Sequence, residues 1–100
     1  CVYGKTNMVM MRDIKYFESR GRHIIINLVD NQSIQYVGQL KNEIKKLPLN
    51  FVEIGKSYII NLKHMRECHV SYVVMDDGKE LGISRAYRNY FNEKILEYNS

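Results

Sequence analysis

Four groups of residues in this chain have types and spacings suited to chemistry. The first is Gly55-Lys56-Ser57, which matches the closing triplet of a nucleotide-binding P-loop. A P-loop also needs a glycine five positions before the Gly of that triplet, so that backbone amides curl around the phosphates. It needs a helix directly afterwards, so that the helix N-terminus faces the anion. Position 50 is Asn, and Tyr58-Ile59-Ile60 comes after the triplet, an aromatic and two β-branched residues that favour extended chain. Both requirements fail. The second group is His64-Met65-Arg66-Glu67-Cys68-His69, which holds metal-ligating types. A structural zinc site takes four ligands in paired sets, and the other candidates, His23 and Cys1, are distant and unpaired. No metal site is expected, and the segment reads as a half-buried strand. Cys68 beside His69 is poorly placed as an activated nucleophile, because neighbours along a strand point to opposite faces. A packed thiol is expected instead.

Asp76-Asp77 and Glu80 form the third group, suited in type to acid/base work or Mg²⁺. "DDG" is also the composition of a hairpin turn, where Asp and Gly tolerate positive φ, and a turn is expected. With no other carboxylate cluster and no nucleophile elbow, neither an enzyme nor a cofactor is expected. The fourth group is basic. Arg20-Gly21-Arg22-His23 leads into a hairpin, with a glycine that lets the chain bend tightly. Lys56-Ser57 follows Gly55 in an irregular stretch, and Arg85 and Arg88 begin a helix. Arginine is unfavourable at a helix N-terminus, where the dipole is already positive, so Arg85 fits anion or base contact better than it fits stability. Each residue alone would pass as a solvated surface charge. Three clusters at three element ends favour DNA.

Composition agrees with an anionic partner. The net charge is +4 and the pI about 9.1, with eight Lys/Arg against four Asp/Glu in residues 1–50 and seven of each in residues 51–100. One hundred residues, 45% hydrophobic, make one domain, residues 1–100, with a small core. No apolar run is long enough to span a bilayer, and the N-terminus lacks the design of a signal peptide. The two cysteines make no disulfide framework, which suits a reducing compartment, and a cytoplasmic location is expected. Because position 1 is Cys, the chain is expected to be a piece of a longer protein.

The elements that must position the basic residues are short. "MVMM" fits a short strand at the domain edge, and Ile14, Tyr16 and Phe17 lie in an extended run. Residues 22–29 and Ser33–Val37 read as a β-hairpin turning at Asp30-Asn31. Alternation puts Ile24, Ile26 and Leu28 on a core face, with His23, Ile25 and Asn27 opposite. Leu40, Ile44 and Leu47 have the spacing of a short amphipathic helix over 39–47, with lysines on its wet face and Pro48 as its stop. Phe51 to Ile60 reads as extended or irregular, and a second hairpin turns at Asp77-Gly78. Ser84 can cap a last helix from Arg85 to about Tyr98, with Tyr87, Tyr90, Phe91, Ile95 and Tyr98 buried. Arg85, Arg88, Asn89 and Asn92 would share the opposite face. The fold class is therefore mainly β with short helices (α+β).

In order and spacing, "DIKYFES", the basic loop, the hairpin, "GQLKNEIKKLPLNFVEIGKSYIINLKHM" and "DDGKELGISRAYRNYF" resemble the LytTR DNA-binding domain, found at the C-terminus of bacterial response regulators. The marks are Leu40, Phe51, Ser57, Tyr58 and Asn61 in the centre, then Asp77-Gly78 and Ser84-Arg85, and the similarity covers residues 13–96. The resemblance implies an elongated arrangement of small antiparallel β-sheets, whose loops insert into successive major grooves of double-stranded DNA and touch backbone between them. It implies transcription regulation as the output domain of a two-component response regulator, an upstream receiver domain, repeated promoter sites and a homodimer on DNA. By position the first loop would supply Arg20, Arg22 and His23, with either His23 or Arg22 as its base reader. Lys56 and Ser57 would hold phosphate, and Arg85 would reach a base edge, with Arg88 beside it. Arg suits guanine O6/N7, while Lys and Ser suit phosphate. The family often has Arg-x-His-Arg where this chain has Glu53-Ile54-Gly55-Lys56, which implies fewer contacts there or a different preferred sequence. From another class, the alternative is a non-enzymatic β interaction module whose basic loops bind an acidic protein or a membrane surface.

Overall fold

The computed structural model describes residues 2–3 and 7–99. It opens with two two-residue strands, β1 (Val2–Tyr3) and β2 (Asn7–Met8), paired antiparallel. The expected "MVMM" strand is thus met only at Met8, since Met11–Asp13 winds into a 3-10 turn. The next strands are β3 (Ile14–Arg20), β4 (His23–Leu28) and β5 (Ser33–Val37). A short helix, α1 (Leu40–Glu43), tightens into a 3-10 turn over Ile44–Lys46 just before Pro48. After it come β6 (Phe51–Glu53), β7 (Tyr58–Asn61), β8 (Met65–Cys68), β9 (Tyr72–Met75) and β10 (Glu80–Gly82). A 3-10 turn at Arg85–Tyr87 leads into α2 (Arg88–Asn99). The architecture is mostly β, with every strand pair antiparallel.

A five-stranded sheet in the order β5-β4-β3-β7-β6 carries the domain, and a three-stranded sheet β10-β9-β8 lies beside it. The stretch from Phe51 to Ile60, read as extended or irregular, is a hairpin whose arms are β6 and β7. The first hairpin follows its sequence pattern. Ile24, Ile26 and Leu28 are buried while His23 is exposed. Asp30 and Asn31 take φ of 62° and 60°, the left-handed pair that a tight hairpin turn demands. The domain is moderately elongated, 37 × 25 × 24 Å.

Two apolar clusters lie on the two faces of the large sheet. One gathers Phe17, Ile24, Ile26, Phe51 and Ile59 under Leu40 of α1. The other joins Tyr16, Val52 and Ile60 of the large sheet to Val73, Met75 and Leu81 of the small one and to Phe91 of α2. Helix α2 buries only Phe91 fully. Tyr87, Tyr90 and Ile95 are half-buried, and Tyr98, expected in the core, is 39% exposed.

Polar contacts hold the second hairpin against the start of β3. The register shift between Ile14 and Tyr16 leaves Lys15 out of the ladder with β4, and its ammonium reaches Asp77. "DDG" is therefore more than a turn. Gly78 takes φ of 88° and Asp77 Oδ1 accepts from the Lys79 amide as turn chemistry predicts, yet both aspartates are also paired. Asp76 Oδ2 lies 2.6 Å from His64 Nδ1, and the Arg12 carbonyl lies 2.6 Å from His64 Nε2. Two acceptors on two ring nitrogens can both be satisfied only by the imidazolium, which has an N–H at each.

Burial pulls the His64 pKa down, but the Arg12 carbonyl and the Asp76 carboxylate outweigh it, with Lys15 opposing them, and the net shift is upward. A folded pKa above the ordinary 6.5 gives stability that is complete below that value and lost as pH rises through the raised one. Denaturant midpoints measured from pH 6 to pH 9 should therefore fall for the wild type, and the fall should be smaller for His64→Gln. Equal slopes for the two proteins would remove His64 from the account. At the acid end the sign reverses. The Lys15 ammonium holds the Asp77 carboxyl below its ordinary 3.8, so that contribution is lost as pH falls through the lowered value.

Candidate functional site

The three basic segments are carried by different elements, and backbone hydrogen bonds bring them to one end of the molecule. Arg20 closes β3 and His23 opens β4 directly opposite it, with Gly21 at φ 63° making the tight turn between them. The Ser19 amide, one residue before Arg20, donates to the Ser57 carbonyl at 2.8 Å. That bond sets the β6–β7 turn, with Lys56, beside the first turn. The Ser84 amide donates to the Ile54 carbonyl at 2.8 Å and sets Arg85 beside the same β6–β7 turn on its other side. Lys56 stands between the two. It borders an open groove of about 430 Å³ shared with Gly21, Lys41, Glu53 and Tyr87, and a second of about 360 Å³ shared with Ser57, Ser84 and Ala86.

Arg20, Arg22, His23, Lys56, Ser57 and Arg85 are all exposed, on the turns that these backbone bonds hold beside one another. Lys41, which the sequence presents only as a solvated helix lysine, joins them because Gly38 donates its N–H to the Arg22 carbonyl at 3.1 Å and draws the start of α1 towards the first turn. No local signal marks it. Two carboxylates lie among these cations and both are engaged. Glu18 accepts from Arg20 at 2.9 Å, and half-buried Glu53 accepts a long bond from Tyr90 Oη at 3.4 Å. The surface is therefore net positive, and a polyanion can approach it.

Several expectations need correction. Ser84 makes no side-chain cap. Its carbonyl accepts from the Tyr87 amide, and its Oγ would lie 2.9 Å from a Cβ at position 55. A side chain at position 55 would therefore make the Ser84 hydroxyl turn aside, while Ser84 Cβ at 3.5 Å is at ordinary contact distance. Arg88 does not share the open face with Arg85. It is half-buried, and its Nε is enclosed with no hydrogen-bond partner. Cys68 is exposed rather than packed, since β8 is the edge strand of the small sheet, although partial burial still raises its pKa. His64 leaves the expected half-buried strand for a 3-10 turn. Among the described residues no group of three or more His, Cys, Asp or Glu converges as metal ligands, and Cys1 lies outside those residues. Among the same residues no helix is long and apolar enough to cross a membrane.

No curated protein matches the chain significantly. Among solved structures, the fold is similar to the LytTr DNA-binding domain of a Bacillus cereus protein described as a methyl-accepting/DNA response regulator. The TM-score is 0.78 at 22% identity, over 87% of this chain and 84% of the other. The profile of the LytTr DNA-binding domain family matches residues 4–96, and the chain belongs to that family.

Proposed function

We propose that this DNA-binding domain reads double-stranded DNA sequence-specifically and regulates transcription as the output domain of a two-component response regulator. The observation that carries this reading is the convergence of three basic turns through the Ser19–Ser57 and Ile54–Ser84 backbone bonds. Turns fixed by strand pairing present their side chains at set spacings, as recognition of successive grooves requires. Arg20, Arg22 and His23 would enter one major groove and Arg85 the next, with Lys56 and Ser57 holding a phosphate of the backbone between them. Half-buried Arg88 adds positive charge behind Arg85. Two copies on repeated promoter sites and an upstream receiver domain complete the reading.

Titration of duplex DNA at several salt concentrations tests it. Arg85→Ala should cost about 1–3 kcal/mol on a preferred site and much less on random duplex. Lys56→Ala should weaken both alike and make the salt slope shallower by about one unit. A flat salt response with no sequence preference would instead support a module that binds an acidic protein or a membrane surface. Equal losses on preferred and random DNA for Arg85→Ala would remove it as a base reader.

A further inference from the structure

Val37 is the residue at the basic end that charge does not explain. Its side chain is 74% exposed, on the last residue of the edge strand β5. The outward positions of β5 are otherwise polar, Ser33 and Gln35, while Ile34 and Tyr36 turn towards the core. A valine at the end of that outward row has no packing role in the domain, and it lies beside the turn that carries Arg22 and His23.

Strand register places it closely. Arg20 pairs with His23 and His23 pairs with Val37, so the three side chains form one row across β3, β4 and β5 on the same face of the sheet. All three are exposed. With strands about 4.8 Å apart the row spans roughly 10 Å, which fits within a major groove about 12 Å wide. The position is also held from behind. Gly38 donates to the Arg22 carbonyl at 3.1 Å, and a Cβ on Gly38 would meet Ile24 Cδ1 at 3.1 Å and Tyr36 Cε2 at 3.2 Å. The chain leaving β5 is therefore pressed against the first turn, and Val37 moves with Arg22 and His23.

A row made of a guanidinium, an imidazole and an isopropyl group offers hydrogen bonding at two positions and apolar contact at the third. Among base edges in the major groove, the apolar group available to the third is the C5-methyl of thymine. We propose that Val37 is a specificity-determining residue that contacts a thymine methyl next to the base pair read by His23 or Arg22. The inference rests on the DNA-reading function and adds a base preference that the basic residues cannot supply.

The test begins with selection of preferred sites from a random duplex pool by the full 100-residue chain. Each thymine of the selected site is then replaced singly by deoxyuridine, which removes only the methyl. Wild type should bind about three- to fivefold more weakly when one particular thymine loses its methyl, the effect of burying about one carbon. Val37→Ala should lose a similar factor on the unmodified site and become indifferent to deoxyuridine at that same position, the coupling expected of two groups in contact. Because Val37 is mostly exposed, the variant should melt like the wild type. Persistence of the methyl effect at every position in Val37→Ala, or its absence in wild type, overturns the contact while leaving DNA reading intact. A pool that yields no preferred sequence overturns the DNA-reading function and the contact with it.

Discussion

Asn61→Ala should lower stability by about 3–5 kcal/mol, a large share of the roughly 5–15 kcal/mol that holds a domain folded. Asn61 is fully buried, and each end of its amide is used. Its Nδ2 donates to the Ile14 carbonyl at 2.8 Å, while its Oδ1 accepts from Asn50 Nδ2 at 2.7 Å and from the Lys63 amide at 3.0 Å. The side chain joins the start of β3, the segment before β6 and the turn after β7. Alanine would leave the buried Ile14 carbonyl without this donor and Oδ1's two donors without their acceptor, at about 1–3 kcal/mol for each group that stays unpaired. Thermal melting checks this, since about 4–8 °C is lost per kcal/mol in a domain of this size. Asn50→Ala, which removes only one of the three bonds, should cost far less. An Asn61→Ala melting temperature within a few degrees of wild type would mean that water replaces the amide without penalty.

Phe91→Ala should cost a similar amount, about 3–5 kcal/mol, for a different reason. Phe91 is the one residue of α2 buried completely, and it fills the space between β6, β7 and the small sheet. Tyr87, Tyr90 and Ile95 are each only half-buried and cannot hold the helix as firmly. Loss of the ring leaves a cavity and loosens α2. Because Arg85 sits in the 3-10 turn that leads into this helix, the variant should also lose preference for its selected site even at temperatures where it remains folded. Melting followed by circular dichroism, with binding measured well below the midpoint, separates the two effects. A Phe91→Ala protein that keeps wild-type stability would show that α2 is held by its tyrosines.

The first hairpin was legible because Ile24, Ile26 and Leu28 in β4 and Ile34 and Tyr36 in β5 recur at every second position, even though Ile25 and Val37 fall on the wetter face, and because Asp30-Asn31 suits positive φ. β6 and β7 were not legible. They have three and four residues, and Phe51-Val52 and Ile59-Ile60-Asn61 are buried consecutively because clusters lie on both faces. Alternation vanishes where neither face is wet. The convergence of the basic turns was expected only from the family resemblance. Its physical causes are long-range backbone bonds, Ser19 to Ser57 and Ser84 to Ile54, which leave no local mark in composition. The same holds for Lys15 with Asp77 and for His64 with Arg12, partners 62 and 52 residues apart. Gly55 looked like a lost contact in the family pattern, and in three dimensions it lies against the Ser84 side chain, a neighbour 29 positions away in sequence that no local pattern reveals. Arg88 was misplaced because the turn before it, Arg85–Tyr87, is 3-10, which shifts the angular positions of the helical residues after it.

The Ser84–Ile54 bond also orders events during synthesis. The turns carrying Arg22 and Lys56 can be complete once β7 has paired with β3, using residues up to Asn61. Arg85 is delivered only after Ser84 has emerged and docked on Ile54, and α2 behind it must then close over Phe91. The segments that carry Arg22 and Lys56 are therefore synthesised before the one that carries Arg85. On the proposed reading, the contacts of the first turn and of Lys56 lack their Arg85 counterpart until Ser84 docks on Ile54, so the full set of DNA contacts exists only in the completed domain.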